Sequence, residues 1–108
     1  MPVLDTQILF ALSPKDPKHS SAMKLLESHH DLVATDASVF EFELVLRARG
    51  RKISEIRESL LALSQFLLSR GVREEKTIDI ELLALSSDIE SKNMLSYFDS
   101  LIAASALV

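Results

Sequence analysis

The sequence predicts an α/β domain, rich in helix, in which a short parallel sheet is flanked by helices. Three observations carry this prediction. Apolar runs too short for helices end in polar punctuation at Val3-Leu4, at Leu32-Val33-Ala34 and, more weakly, at Thr77-Ile78-Asp79-Ile80. Longer stretches with apolar residues three and four apart lie between these runs. The resulting order, strand then helices three times over, is the alternation of parallel sheets, whose ligands gather at the carboxyl ends of the strands.

Each element follows from local chemistry. The first run closes on Asp5, which reads as the N-cap of a helical stretch over Thr6–Leu12. Ser13-Pro14-Lys15-Asp16-Pro17 is a break followed by a start signal, with Asp16 as N-cap and Pro17 at the first helical position. The helix that follows turns Ala22, Leu25 and Leu26 inward and ends near His29-His30. After the second run, a helix extends from about Ala37 to Arg49 and stops at Gly50. The next one carries a seam of Ile53, Ile56, Leu60, Leu63 and Leu67 and stops at Gly71. Two more are expected over Ile80–Lys92 and Tyr97–Val108.

A chain of 108 residues, 47% apolar with two glycines, makes a single domain over residues 1–108. A fold of this size buries about 60–68% of its unfolded surface, enough to stand without staples. There is no cysteine, which excludes a disulfide scaffold, thiolate zinc and iron–sulfur sites and a cysteine nucleophile. Sixteen acids against twelve Lys and Arg give a net charge of −4. Contact with nucleic acid would therefore need a local basic patch or metal ions that mask the acids. The start lacks a signal-peptide pattern, and the longest uncharged stretch in the middle, Ser59–Ser69, is far short of a membrane span. A cytoplasmic protein is expected.

Three acids fall at junctions where site residues belong: Asp5, Glu41 and Asp99. Asp5 alone reads as a helix cap. Glu41 and Glu43 stand two apart and point about 160° from each other on one helix. Glu43 has Arg47 at i+4, the pattern of a surface ion pair. Glu41 instead shares its face with Leu44, Val45 and Ala48, without a cation beside it. A rival role exists, since Ser38-Val39-Phe40-Glu41 fits a capping box. Asp99 repeats the pattern: Ser96-Tyr97-Phe98-Asp99 also fits a capping box, while Ile102, Ala103 and Ala106 follow on the face of Asp99. A carboxylate among small apolar residues is partly desolvated and calls for a cation or a proton. Brought to one edge of the sheet, the three would form an oxygen-rich cage for Mg²⁺ or Mn²⁺, ions that activate water and clamp a phosphodiester.

With these residues in place, the chain resembles the PIN domain family, the compact nuclease fold of VapC-type toxins. The resemblance rests on Val3-Leu4-Asp5-Thr6, on the segment from Glu41 to Arg47, and most specifically on Leu95-Ser96-Tyr97-Phe98-Asp99 with the apolar residues that continue to Ala106. It implies a three-layer fold with catalytic and metal-binding acids at Asp5, Glu41 and Asp99, supported by the hydroxyl of Thr6. Gln7 stands where the family often has Asn, a mild departure. Family members normally continue into another strand with a fourth acid; the sequence stops at Val108 before such a segment, and either a cut-short sequence or a naturally short member is compatible with that.

The expected activity is metal-dependent hydrolysis of RNA phosphodiesters, single-stranded or structured, by a VapC-like toxin. The resemblance implies an antitoxin partner and a homodimer. The alternative is a catalytically weak or inactive PIN-like interaction module. The remaining features read as structure. Arg47, Arg49, Arg51 and Lys52 suit a solvated helix end, with a phosphate-tracking patch as the second reading. His29-His30 lacks the further ligands of a zinc site. The single tyrosine and five phenylalanines show no base-stacking pattern. The Ile53–Leu67 seam is mostly core, and its spacing also suits a helix-mediated dimer.

Overall fold

The computed structural model describes residues 3–107. In chain order its elements are α1 (Thr6–Ala11), α2 (His19–Ser28), β1 (Val33–Thr35), α3 (Asp36–Ala48), α4 (Ile53–Ser69), β2 (Arg73–Glu75), α5 (Ile80–Asn93) and α6 (Tyr97–Ala106). β1 and β2 pair in parallel, from Val33 opposite Arg73 to Thr35 opposite Glu75. Val3 adds a parallel bridge to Val33, and the Leu4 N–H donates to the Val33 carbonyl at 2.9 Å. The segment before α1 and β2 thus lie on opposite sides of β1. β1 is wholly buried, while β2 carries Arg73, Glu74 and Glu75, charges that keep an edge strand from recruiting another chain.

Apolar packing forms two clusters. The larger joins Leu4, Leu9 and Leu12 to Phe42, Leu46, Ile56, Leu63 and Leu67. The smaller consists of Ala37, Leu82, Leu101 and Ala104, under α5 and α6. Ala37 brings α3 into this second cluster, and Phe42 and Leu46 place the same helix in the first. In α4 the seam is core: Ile56, Leu63 and Leu67 are buried, and Ile53 at the helix start is exposed. Those buried positions are not open to the dimer contact expected from the seam.

Helix ends follow the local rules. Gly50 and Gly71 sit just past α3 and α4 at φ of +75° and +72°, a conformation that costs other residues energy and glycine little. α5 closes on Met94 at φ 53°, a left-handed position without a glycine.

Two sequence expectations are corrected. The third strand is Arg73–Glu75 and not Thr77–Ile80. The backbone N–H groups of Thr77 and Ile78 are taken by the Asp36 carboxylate, and Asp79 caps α5 by accepting from the Leu82 N–H at 2.7 Å. The second helix begins at His19, after Asp16-Pro17. Asp16 instead closes a turn, accepting from the Lys18 N–H on its side chain and from the His19 N–H on its carbonyl. Val108, expected to end the last helix, lies outside the described residues.

Candidate active site

α3 is the hub of the candidate site, because polar side chains from its first two turns reach both flanks. Ser38 is fully buried, and its hydroxyl donates to the Leu4 carbonyl at 2.7 Å. Glu41, one turn further, accepts from the hydroxyl of Thr6. These bonds replace the capping box that S-x-x-E suggested: α3 starts two residues before Ser38, so neither side chain is at a cap position. Glu41 therefore faces the carboxyl end of the first extended segment. Glu43 pairs with Arg47 at 3.7 Å on the surface, as the helical phase required.

Asp5 is exposed and caps α1, its Oδ1 accepting from the Ile8 N–H at 2.9 Å. Its neighbour Thr6 is the residue bound to Glu41, so α1 and α3 meet at these acids. Asp99 lies in the first turn of α6, where its N–H donates to the Ser96 hydroxyl at 3.2 Å. Contrary to the expected desolvation, Asp99 is exposed. The buried face of α6 is Ser100, Leu101, Ala104 and Ser105, and Asp99 is on the other side. The rings of Phe40 and Phe98, each next in sequence to one of the acids, meet edge to face at 6.1 Å. α6 is thereby set beside the part of α3 that carries Glu41.

The donors are carboxylate oxygens, the type a hard divalent cation takes, and none of the three acids is in an ion pair among the described residues. In donor chemistry they fit such an ion. In position they are not gathered: among the described residues no three His, Asp or Glu side chains form a cluster able to hold one. Like charges without a counter-ion repel, and the exposed Asp5 and Asp99 side chains are free to stay apart.

One further acid, apart from the three junction acids, stands at this end of the sheet. Asp36, at the carboxyl end of β1, accepts from the N–H groups of Ala37, Thr77 and Ile78 and from the Thr77 hydroxyl, at 2.8–3.1 Å. Burial alone would raise its pKa, and the hydrogen bonds from Ile78, Thr77 and Ala37 outweigh that and hold it below the ordinary aspartate value. Next to it, the hydroxyl of Thr35 is fully buried and has no hydrogen-bond partner among the described residues. The sequence signal for Asp36 was an acid directly after a buried strand, next to a helix start.

Two clefts flank these elements. One of about 450 Å³ is lined by Asp36, Phe40, Glu43, Glu74 and Lys76. The other, about 620 Å³, has an apolar floor including Phe10, Phe42 and Phe66, with Arg49 and Arg51 at its rim. There the Arg49 guanidinium lies 4.6 Å from the Phe10 ring centroid, and Phe10 and Phe42 stack at 4.5 Å.

The fold is that of a PIN domain. The model of that family matches residues 3–108, and the chain belongs to the PIN domain family. Among solved structures it is similar to VapC20 of Mycobacterium tuberculosis, described as a sarcin–ricin loop cleaving toxin. The TM-score is 0.73 at 19% sequence identity, over 96% of this chain and 79% of that one. No curated protein sequence matches this chain. None of its described helices is long and apolar enough to cross a membrane.

Proposed function

We propose that this chain is a VapC-like, metal-dependent endoribonuclease in which Asp5, Glu41 and Asp99 hold Mg²⁺ or Mn²⁺. The observation that carries the reading is the bond between Thr6 and Glu41. It turns one specific glutamate of α3 toward the strand end where Asp5 stands, and leaves Glu43 to an arginine. A divalent ion bound there would activate water and offset charge building up on the scissile phosphate. The chain's own part is to position: Thr6 orients the Glu41 carboxylate, and the Asp5 cap leaves Oδ2 free of the Ile8 bond. The test is cleavage of single-stranded RNA with Mn²⁺ by the wild type, Glu41→Gln and Glu43→Gln. Loss in Glu41→Gln alone supports the reading, and equal loss in both sinks it.

A second reading, a PIN-like interaction module with weak or no activity, is favoured by the absence of a three-acid cluster among the described residues. RNA that binds without metal-dependent cleavage would select it. In either case we place an antitoxin segment in the larger cleft, with apolar side chains on the phenylalanine floor and acids against Arg49 and Arg51. A second copy of the chain would pack on the exposed Phe40 and Tyr97, which both meet Phe98, rather than on the buried α4 seam. The cytoplasm is the compartment where a toxin acting on RNA finds its substrate.

A further inference from the structure

The smaller apolar cluster joins α6 to the rest of the fold through small side chains. Ala37 of α3 meets Leu101 and Ala104 of α6, with Leu82 of α5 alongside. Apolar attraction is non-directional, so a contact built from alanines and a leucine resists sliding and rotation poorly. Directional bonds can set the register that such packing leaves loose.

One chain of directional bonds runs through this interface. The Asp36 carboxylate at the start of α3 holds the Thr77 and Ile78 N–H groups and the Thr77 hydroxyl. The Thr77 hydroxyl also lies 2.9 Å from the hydroxyl of Ser105. Ser105 is fully buried on α6, and because the Thr77 proton goes to the Asp36 carboxylate, the Ser105 hydroxyl is the donor to the Thr77 oxygen, with the Leu101 carbonyl at 2.8 Å as its competing acceptor. The β2–α5 connection and α6 are therefore both tied to the first residue of the helix that carries Glu41.

We infer that Asp36 is a positioning residue: through Thr77 and Ser105 it sets α6 against α3, and so fixes where Asp99 stands relative to Glu41. Its consequence for metal rests on the ribonuclease reading above; its geometry does not. Thr77→Val removes the hydroxyl link yet keeps the backbone bonds to Asp36, and Ser105→Ala removes the other end. Thr77→Ser keeps the hydroxyl and serves as the rescue.

The experiment reads the Phe40–Phe98 ring contact by NMR cross-relaxation and Mn²⁺ affinity by electron paramagnetic resonance of the free ion. In Thr77→Val and Ser105→Ala the ring contact should weaken, and Mn²⁺ affinity should fall about 10–100-fold, the usual effect of losing a partner outside the ligand shell. Thr77→Ser should restore both. Ring contacts at full strength in Thr77→Val and Ser105→Ala overturn the inference, whatever Mn²⁺ does. A wild type that binds no Mn²⁺, with the ring contact still lost in the two variants, sinks the ribonuclease reading and supports the clamp.

Discussion

The hydroxyl of Thr6 donates to the carboxylate of Glu41 across 35 positions of sequence. That bond separates two glutamates that stand two residues apart on one helix. Glu41 is turned to the strand end, and Glu43 stays on the surface with Arg47.

Glu41→Gln keeps an oxygen that accepts from Thr6, so its stability should remain within about 1 kcal/mol of wild type in urea denaturation. Its Mn²⁺-dependent RNA cleavage should fall on the order of 100-fold, the scale of losing one group that stabilises transition-state charge. Glu43→Gln should lose about 0.3–0.5 kcal/mol with its ion pair and keep its activity. Comparable activity in Glu41→Gln and wild type would dismiss Glu41 as a site residue.

Mn²⁺ should stabilise the fold by mass action, by about 2.7 kcal/mol at a hundredfold excess over Kd. Asp99→Asn should remove most of that gain, read as a shift in Tm with and without the ion. Because Asp99 is exposed, the metal-free Tm of the variant should barely move. An undiminished Mn²⁺ shift in Asp99→Asn would take Asp99 out of the site.

Asp36→Asn should destabilise the protein by about 2 kcal/mol at neutral pH, since the amide nitrogen would face N–H donors in place of a carboxylate oxygen. The pH dependence follows from the lowered pKa of Asp36. The carboxylate's contribution is fully present above the unfolded aspartate value of about 3.9. It is lost as pH falls through the lower folded-state value. The stability gap between wild type and Asp36→Asn should therefore close in acid, measured by urea denaturation as a function of pH. A gap that stays constant into strong acid contradicts the assignment.

Met94→Gly should stabilise the protein by about 0.5–1 kcal/mol. Met94 holds φ 53° at the end of α5, a conformation that costs an L-residue roughly 1–2 kcal/mol. Its side chain is 94% exposed, so little packing is lost. The greater unfolded-state freedom of glycine offsets only part of the gain. A lower Tm for Met94→Gly would show that the exposed side chain has a partner.

The sequence by itself determined what neighbours along the chain decide. Gly50 and Gly71 ended α3 and α4 because the next turn required a left-handed residue. The three-and-four spacing of Ile56, Leu60, Leu63 and Leu67 put that face against the core, and Arg47 four residues on claimed Glu43. Only the tertiary structure decided the partners that lie far away in sequence. S-x-x-E suits a capping box as well as a long-range bond, and Ser38 and Glu41 went to Leu4 and Thr6, more than 30 positions back. Thr77-Ile78-Asp79-Ile80 alternates like a strand, yet the N–H groups of Thr77 and Ile78 belong to Asp36, about 40 positions away, leaving the ladder to Arg73–Glu75. Asp99 shares a helical face with Ile102 and Ala103, and remains exposed because α6 buries Leu101 and Ala104 instead. Periodicity shows that a helix has an apolar side; which side is covered depends on the helices packed against it.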